Sequence, residues 1–296
     1  MPWREVRQHY EPVLNADRGP TIVGTGASSD VELWLTATTR ATPDNVVIKF
    51  RRNGDRDAIE QEAHCLRLAN LACCELVPKP LLCVEYEGRA GLAMEYCQGQ
   101  TLLQLVECTQ HGQLDENDAR NHFRRVIQCL KLCHEANVVH RNLKLEKVIV
   151  NEERVRIVGF THAKDVWSTA ARTLRGTINY LPPELMRDNN NAEVYDAKKV
   201  DVWCCGVMLY RVVCGKFPFE HEDWMEMRDR LRQGKYWPFP DDVSPDCQDL
   251  MTQMLHVNPE ARPCAADLID NNPWLNEPLA ERDILLQALE GFNPGG

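Results

Sequence analysis

Three stretches of the chain hold residues whose types and spacing could do chemistry. Gly24 and Gly26 begin the run Gly24-Thr25-Gly26-Ala27-Ser28-Ser29-Asp30-Val31, where absent side chains would let the backbone approach a phosphate closely. Taken alone, that run reads as a hairpin turn. Lys49 ends the strand-like run Val46-Val47-Ile48-Lys49, and Glu62 stands thirteen residues further on. A single strand lysine is ordinarily a solvated charge. A glycine-rich hairpin, a strand lysine and a helix carboxylate in this order make a far more specific set. The third stretch is Val138-Val139-His140-Arg141-Asn142-Leu143-Lys144-Leu145-Glu146-Lys147, followed closely by Val155-Arg156-Ile157-Val158-Gly159-Phe160-Thr161.

Regular elements must hold these residues in place. Thr21 to Val23, Val31 to Leu35 and Val46 to Phe50 are rich in β-branched and aromatic residues and read as strands, as do Leu81 to Tyr86 and Gly91 to Glu95. Between them, Ile59, Ala63, Leu66 and Ala69 recur at three-to-four residue spacing, which predicts a helix over Asp57 to Asn70. Beyond Gln100 the pattern turns helical. Leu102 opens one helix, and Phe123, Val126, Ile127, Leu130 and Cys133 form the stripe of another over Asp118 to Ala136. Further helices are expected at Val200 to Val213, Trp224 to Gln233, Ser244 to Leu255 and Ala265 to Asn271, with Gly215, Gly234, Pro259 and Pro263 as stops. The expected fold class is α+β with two lobes. The divisions are an N-terminal extension (1–9), a strand-rich lobe (10–95), a helical lobe (96–275) and a tail helix (276–296).

In this order the motifs resemble those of a eukaryotic Ser/Thr protein kinase domain. Val138 to Lys147 is similar to the H-R-D-L-K-x-x-N catalytic loop, and Gly159-Phe160-Thr161 stands where D-F-G belongs. Gly176-Thr177-Ile178-Asn179-Tyr180-Leu181-Pro182-Pro183-Glu184 resembles G-T-x-x-Y-x-A-P-E. Asp201-Val202-Trp203-Cys204-Cys205-Gly206-Val207 and Asn258 to Pro263 resemble the later helix and arginine motifs. The resemblance covers Tyr10 to Leu275. Within the family it is nearest to the calcium/calmodulin and AMP-activated (sucrose-non-fermenting-related) group.

The resemblance implies a role for each matching position. Gly24, Gly26 and Val31 cover a nucleotide, with Val47 beneath the adenine. Lys49 binds phosphates and pairs with Glu62. Met94 is the gatekeeper, and Glu95 to Cys97 form the hinge. Lys144 meets the γ-phosphate, and Arg141 receives a phosphorylated Thr173. Glu184 pairs with Arg262, and Asp201 holds the catalytic loop. Three positions depart from the pattern. The catalytic aspartate is Asn142, the metal-binding asparagine is Lys147, and the D-F-G aspartate is Gly159. An amide is no general base near neutral pH, a loss of about 10²–10⁴ in rate or roughly 3–5 kcal/mol of barrier. Losing both side chains that hold Mg²⁺ removes the clamp on the transferring phosphoryl group. Glu146, Glu152 and Glu153 are the nearby carboxylates, and none is expected to compensate. Ser29 for the third glycine and Val47 for alanine also weaken nucleotide binding. The expectation is a pseudokinase acting as a signalling scaffold or regulator, with ATP bound weakly or not at all and Mg²⁺ not expected. The alternatives are a weak or atypical Ser/Thr kinase and a nucleotide-responsive switch without turnover. Lys147 reads either as a solvated lysine or as a cation replacing the metal.

Composition fits this picture. Of 296 residues, 44% are hydrophobic and 26% charged, ordinary for a globular chain. The 44 acidic against 34 basic residues give a net charge of -10 and disfavour nucleic acid as a partner. Protein partners, an active kinase among them, suit it better. No apolar run of about 18 residues predicts a membrane span, and the N-terminus lacks the apolar core of a cleaved signal. The 13 cysteines show no CxxC or zinc spacing, so no metal site is expected. They read as reduced, mostly buried residues in the cytoplasm or nucleus.

Overall fold

The computed structural model describes residues 3–17, 19–25, 29–36, 45–73, 75–151, 154–165, 178–186 and 195–278. Two compact units emerge. The first joins Met1–Gln100, Leu132–Asn142 and Lys147–Ala170, and the second joins Thr101–Lys131, Leu143–Glu146 and Ala171–Gly296.

The first unit is built on a seven-stranded sheet of β1 (Trp3–Glu5), β2 (Tyr10–Pro12), β3 (Ile22–Thr25), β4 (Ser29–Thr36), β5 (Asn45–Arg51), β6 (Pro80–Tyr86) and β7 (Arg89–Glu95). Its order is β1-β6-β7-β5-β4-β2, with β3 also on β4. Strand β5 is buried from Val46 to Phe50, which suits a mid-sheet strand that is apolar there except for Lys49. Between β5 and β6 runs α1 (Arg56–Ala72), begun by Asp55, whose carboxylate accepts from Ala58 N at 3.0 Å. Its buried face is Ile59, Glu62, Ala63, Cys65, Leu66 and Ala69, so the one carboxylate on the apolar stripe must find a partner inside. Of residues 3–9, which the sequence sets apart as an extension, 3–5 form a strand of the sheet and 6–8 a turn of 3-10 helix. β1 pairs in parallel with β6, and Val6 lies in a core with Trp34, Phe50 and Val84.

The chain passes through β8 (Gln100–Thr101) into the second unit. There lie α2 (Leu102–Glu107), most of α3 (Glu116–Glu135), α4 (Ala197–Cys214), α5 (Trp224–Gln233), α6 (Pro245–Met254), α7 (Ala265–Asn271) and α8 (Pro273–Asn276). α4 is buried nearly all round, as a core helix with apolar residues on every face must be. A Cβ at Gly206 would stand 2.9 Å from Met254 Cβ, so glycine is what lets α4 approach α6. The short strands β9 (Val138–Val139), β10 (Val148–Val150), β11 (Val155–Ile157) and β12 (Lys164–Asp165) return to the first unit. Among the described residues, no helix is long and apolar enough to cross a membrane. Nine of the twelve described cysteines are buried. Burial pushes the Cys214 thiol up to about 12, so it stays protonated. Gly26, Thr173 and the tail from residue 279 lie outside the described residues.

Candidate functional site

Strand register aligns Val31 with Lys49 and Val47 with Met94 across three neighbouring strands. Lys49 Nζ donates to both oxygens of Glu62, at 2.6 and 2.8 Å. Both residues are nearly inaccessible, at 6% and 2% exposure, so each charge depends on the other in a site poor in water. The third ammonium donor goes to Thr161 Oγ1, which uses all the hydrogen bonds a lysine can donate. The sequence places Thr161 only as the last residue of the segment that stands where D-F-G belongs. The signal missed was a hydroxyl standing where the glycine has no side chain.

Around the loop of the third motif, His140 Nδ1 accepts from Asn142 N at 3.3 Å. Its Nε2 therefore carries the proton and donates to Val158 O at 3.1 Å. The ring stands edge-on to Phe160, 4.9 Å between centroids. Arg141 is buried and held at φ +65°, in the left-handed region that non-glycine residues seldom occupy. Lys144 Nζ pairs with Glu146 Oε1 at 3.1 Å.

The β10–β11 hairpin sets Lys147 beside Gly159, and Val158 N donates to Lys147 O at 2.8 Å. Gly159 has φ +86°. A Cβ built there would stand 2.7 Å from Lys147 Cδ, 3.1 Å from Cε and 3.4 Å from Nζ. The lysine side chain thus fills the space that an aspartate at position 159 would need. Mg²⁺ calls for oxygen ligands in octahedral array. Lys147 and Gly159, which stand at the two metal positions, offer that ion an ammonium and no side-chain oxygen.

The hinge positions lie at the end of β7. Met94 is buried at 8% exposure. Arg156 Nη1 pairs with Glu95 Oε1 at 2.6 Å and reaches Cys97 Sγ at 3.7 Å. Burial raises the Cys97 thiol pKa, with Arg156 opposing it in part. Gly24 pairs with Val31, and a Cβ there would meet only Val31 at 3.7 Å, an ordinary contact. Nothing on the described side of the hairpin demands a glycine.

In the second unit Arg262 meets Glu184 with two parallel bonds of 2.7 and 2.8 Å. The same guanidinium donates to His256 O at 2.8 Å and lies 4.8 Å from the Trp203 ring. Asp201 is fully buried on α4.

A strand-rich unit with a buried lysine–glutamate pair, and a helical unit with a buried arginine–glutamate pair, are the architecture of protein kinases. Residues 20–275 match the protein kinase domain family, and the chain belongs to it. Serine/threonine-protein kinase ppk25 of Schizosaccharomyces pombe is 29% identical over 261 residues, 86% of this chain and 59% of that protein. Sperm motility kinase 2B of Mus musculus is 29% identical over 259 residues, 86% and 51% of the two chains. Sperm motility kinase 3A of Mus musculus is 32% identical over 196 residues, 66% and 37%. The chain therefore spans 37% to 59% of these relatives' lengths.

Proposed function

We propose that this kinase domain is a pseudokinase of the calcium/calmodulin and AMP-activated kinase group. It transfers no phosphate and acts as a signalling scaffold or regulator of protein partners, an active kinase among them. The observation that carries this reading is Lys147 packed on Gly159. Two metal positions have changed together, and one side chain now fills the other's space. With Asn142 in the base position, neither proton removal nor metal clamping is provided for. Arg141, read as the receiver of a phosphorylated Thr173, would then serve regulation or structure in place of turnover.

Nucleotide binding is a separate matter. The Lys49–Glu62 pair is formed, which favours a second reading, a nucleotide-responsive switch without turnover. In that reading ATP binds weakly and without Mg²⁺, its phosphates met by Lys49 and Lys147 as point charges.

The deciding measurement is phosphate incorporation from ATP into protein substrate, against a Lys49→Met control. No incorporation above that control is expected. Robust transfer abolished by Lys49→Met would establish the weak-kinase alternative, which the names of the relatives favour. A melting series with ATP in EDTA and in Mg²⁺ separates scaffold from switch. The scaffold shows no shift, and the switch shows a small one that Mg²⁺ does not enlarge. A shift that appears only with Mg²⁺ would overturn the metal-free reading.

A further inference from the structure

Trp3 makes contacts on α1 that neither the family motifs nor the proposed function uses. Trp3 Nε1 donates to Glu60 Oε1 at 2.7 Å. The guanidinium of Arg56 lies 4.8 Å from the Trp3 ring. Arg56 and Glu60 are four residues apart and share one face of the helix. Glu62 lies two residues beyond Glu60, about 200° around the axis, and turns inward to Lys49. One helix is thus gripped on its outer face by Trp3 and on its inner face by Lys49.

Trp3 is itself fixed to the sheet. Trp3, Arg4 and Glu5 are in register with Cys83, Val84 and Glu85. Arg56 also pairs with Glu85 on the same strand. Immediately after, Val6 is fully buried in the core with Trp34 and Val84, and Arg7 Nη2 donates to Tyr86 Oη at 2.9 Å. A strand anchored this firmly can hold a helix through one indole.

We infer that β1 is a built-in clamp on α1, with Trp3 as the positioning residue that keeps Glu62 against Lys49. The pair is then held within the first unit, with no need for nucleotide or a partner on the helix. This does not rest on whether the domain transfers phosphate.

The test compares wild type, Trp3→Phe and Trp3→Ala. Phenylalanine keeps a ring for Arg56 and loses the indole N–H, while alanine loses both. Two readouts report on the helix: hydrogen exchange across residues 56–72, and acetylation of Lys49 by acetic anhydride, read by mass spectrometry. Exchange in α6 of the second unit is the internal reference. Losing a charge-assisted hydrogen bond predicts about ten-fold faster exchange in α1 for Trp3→Ala. Lys49 labelling should rise by a similar factor, Trp3→Phe should fall between, and α6 should be unchanged. Unaltered α1 exchange and Lys49 labelling in Trp3→Ala would overturn the clamp. So would an equal rise in α1 and α6, which would mark general destabilisation.

Discussion

Replacing Gly159 by alanine tests directly whether Lys147 occupies the vacated metal position. Two costs can be worked from the geometry. At φ +86° a residue with a Cβ pays about 1–2 kcal/mol for the left-handed conformation. The new methyl would also stand 2.7 Å from Lys147 Cδ, so the lysine must leave its rotamer at about 1 kcal/mol. Together these predict roughly 2–3 kcal/mol of destabilisation. In a Lys147→Ala background the second cost vanishes and about 1–2 kcal/mol remains. The expected coupling of about 1 kcal/mol exceeds the roughly 0.3–0.5 kcal/mol within which independent sites add. Urea unfolding of the four proteins measures it, provided the slope with denaturant is constant. Gly159→Asp adds a sign test. Aspartate tolerates this backbone region better than alanine, and its carboxylate would lie within reach of Lys147 Nζ. It should therefore destabilise less than alanine while Lys147 is present, and much of that advantage should go with Lys147→Ala. Equal costs for Gly159→Ala in both backgrounds would show that the lysine does not lie over Gly159, and the argument against Mg²⁺ would lose its structural basis.

Three other outcomes are expected. Arg262→Ala should cost about 3–5 kcal/mol by leaving the largely buried Glu184 unpaired, and a variant that melts like wild type would refute the pair. Glu116 is the site of a pH effect. Burial raises its pKa, but hydrogen bonds from Ser244 and Trp274 outweigh that and hold it below the usual 4.5. Its stabilising contribution is complete above that usual value and lost as pH falls through the lowered one, so Glu116→Gln should flatten the acid limb of a stability–pH curve. Asn142→Asp and Gly159→Asp should each stay inactive in phosphate transfer, the first lacking a metal site and the second having its carboxylate met by Lys147. Activity in either single variant would contradict this, and only the triple with Lys147→Asn is expected to recover traces.

Much of the fold was legible in the chain because its patterns are local. The β-branched and aromatic content of Val46 to Phe50 and the 3.6-residue stripe on α1 are both local signals, and the structure shows a strand and a helix there. The short strand β1 was not legible. Three residues cannot display an alternation, and only pairing with β6, some eighty positions away, makes them a strand. The three altered positions, Asn142, Lys147 and Gly159, were also plain in the sequence, since residue identity alone decides whether a group can be a base or a metal ligand. What they do to one another was not. Lys147 and Gly159 are joined by the β10–β11 hairpin, and only the path of its side chain decides whether that lysine is solvated or fills its neighbour's space. Thr161 gave no sign of its bond to Lys49 for the same reason: the partners are 112 residues apart. Side-chain chemistry is written residue by residue, whereas contact between distant residues exists only once the chain has packed.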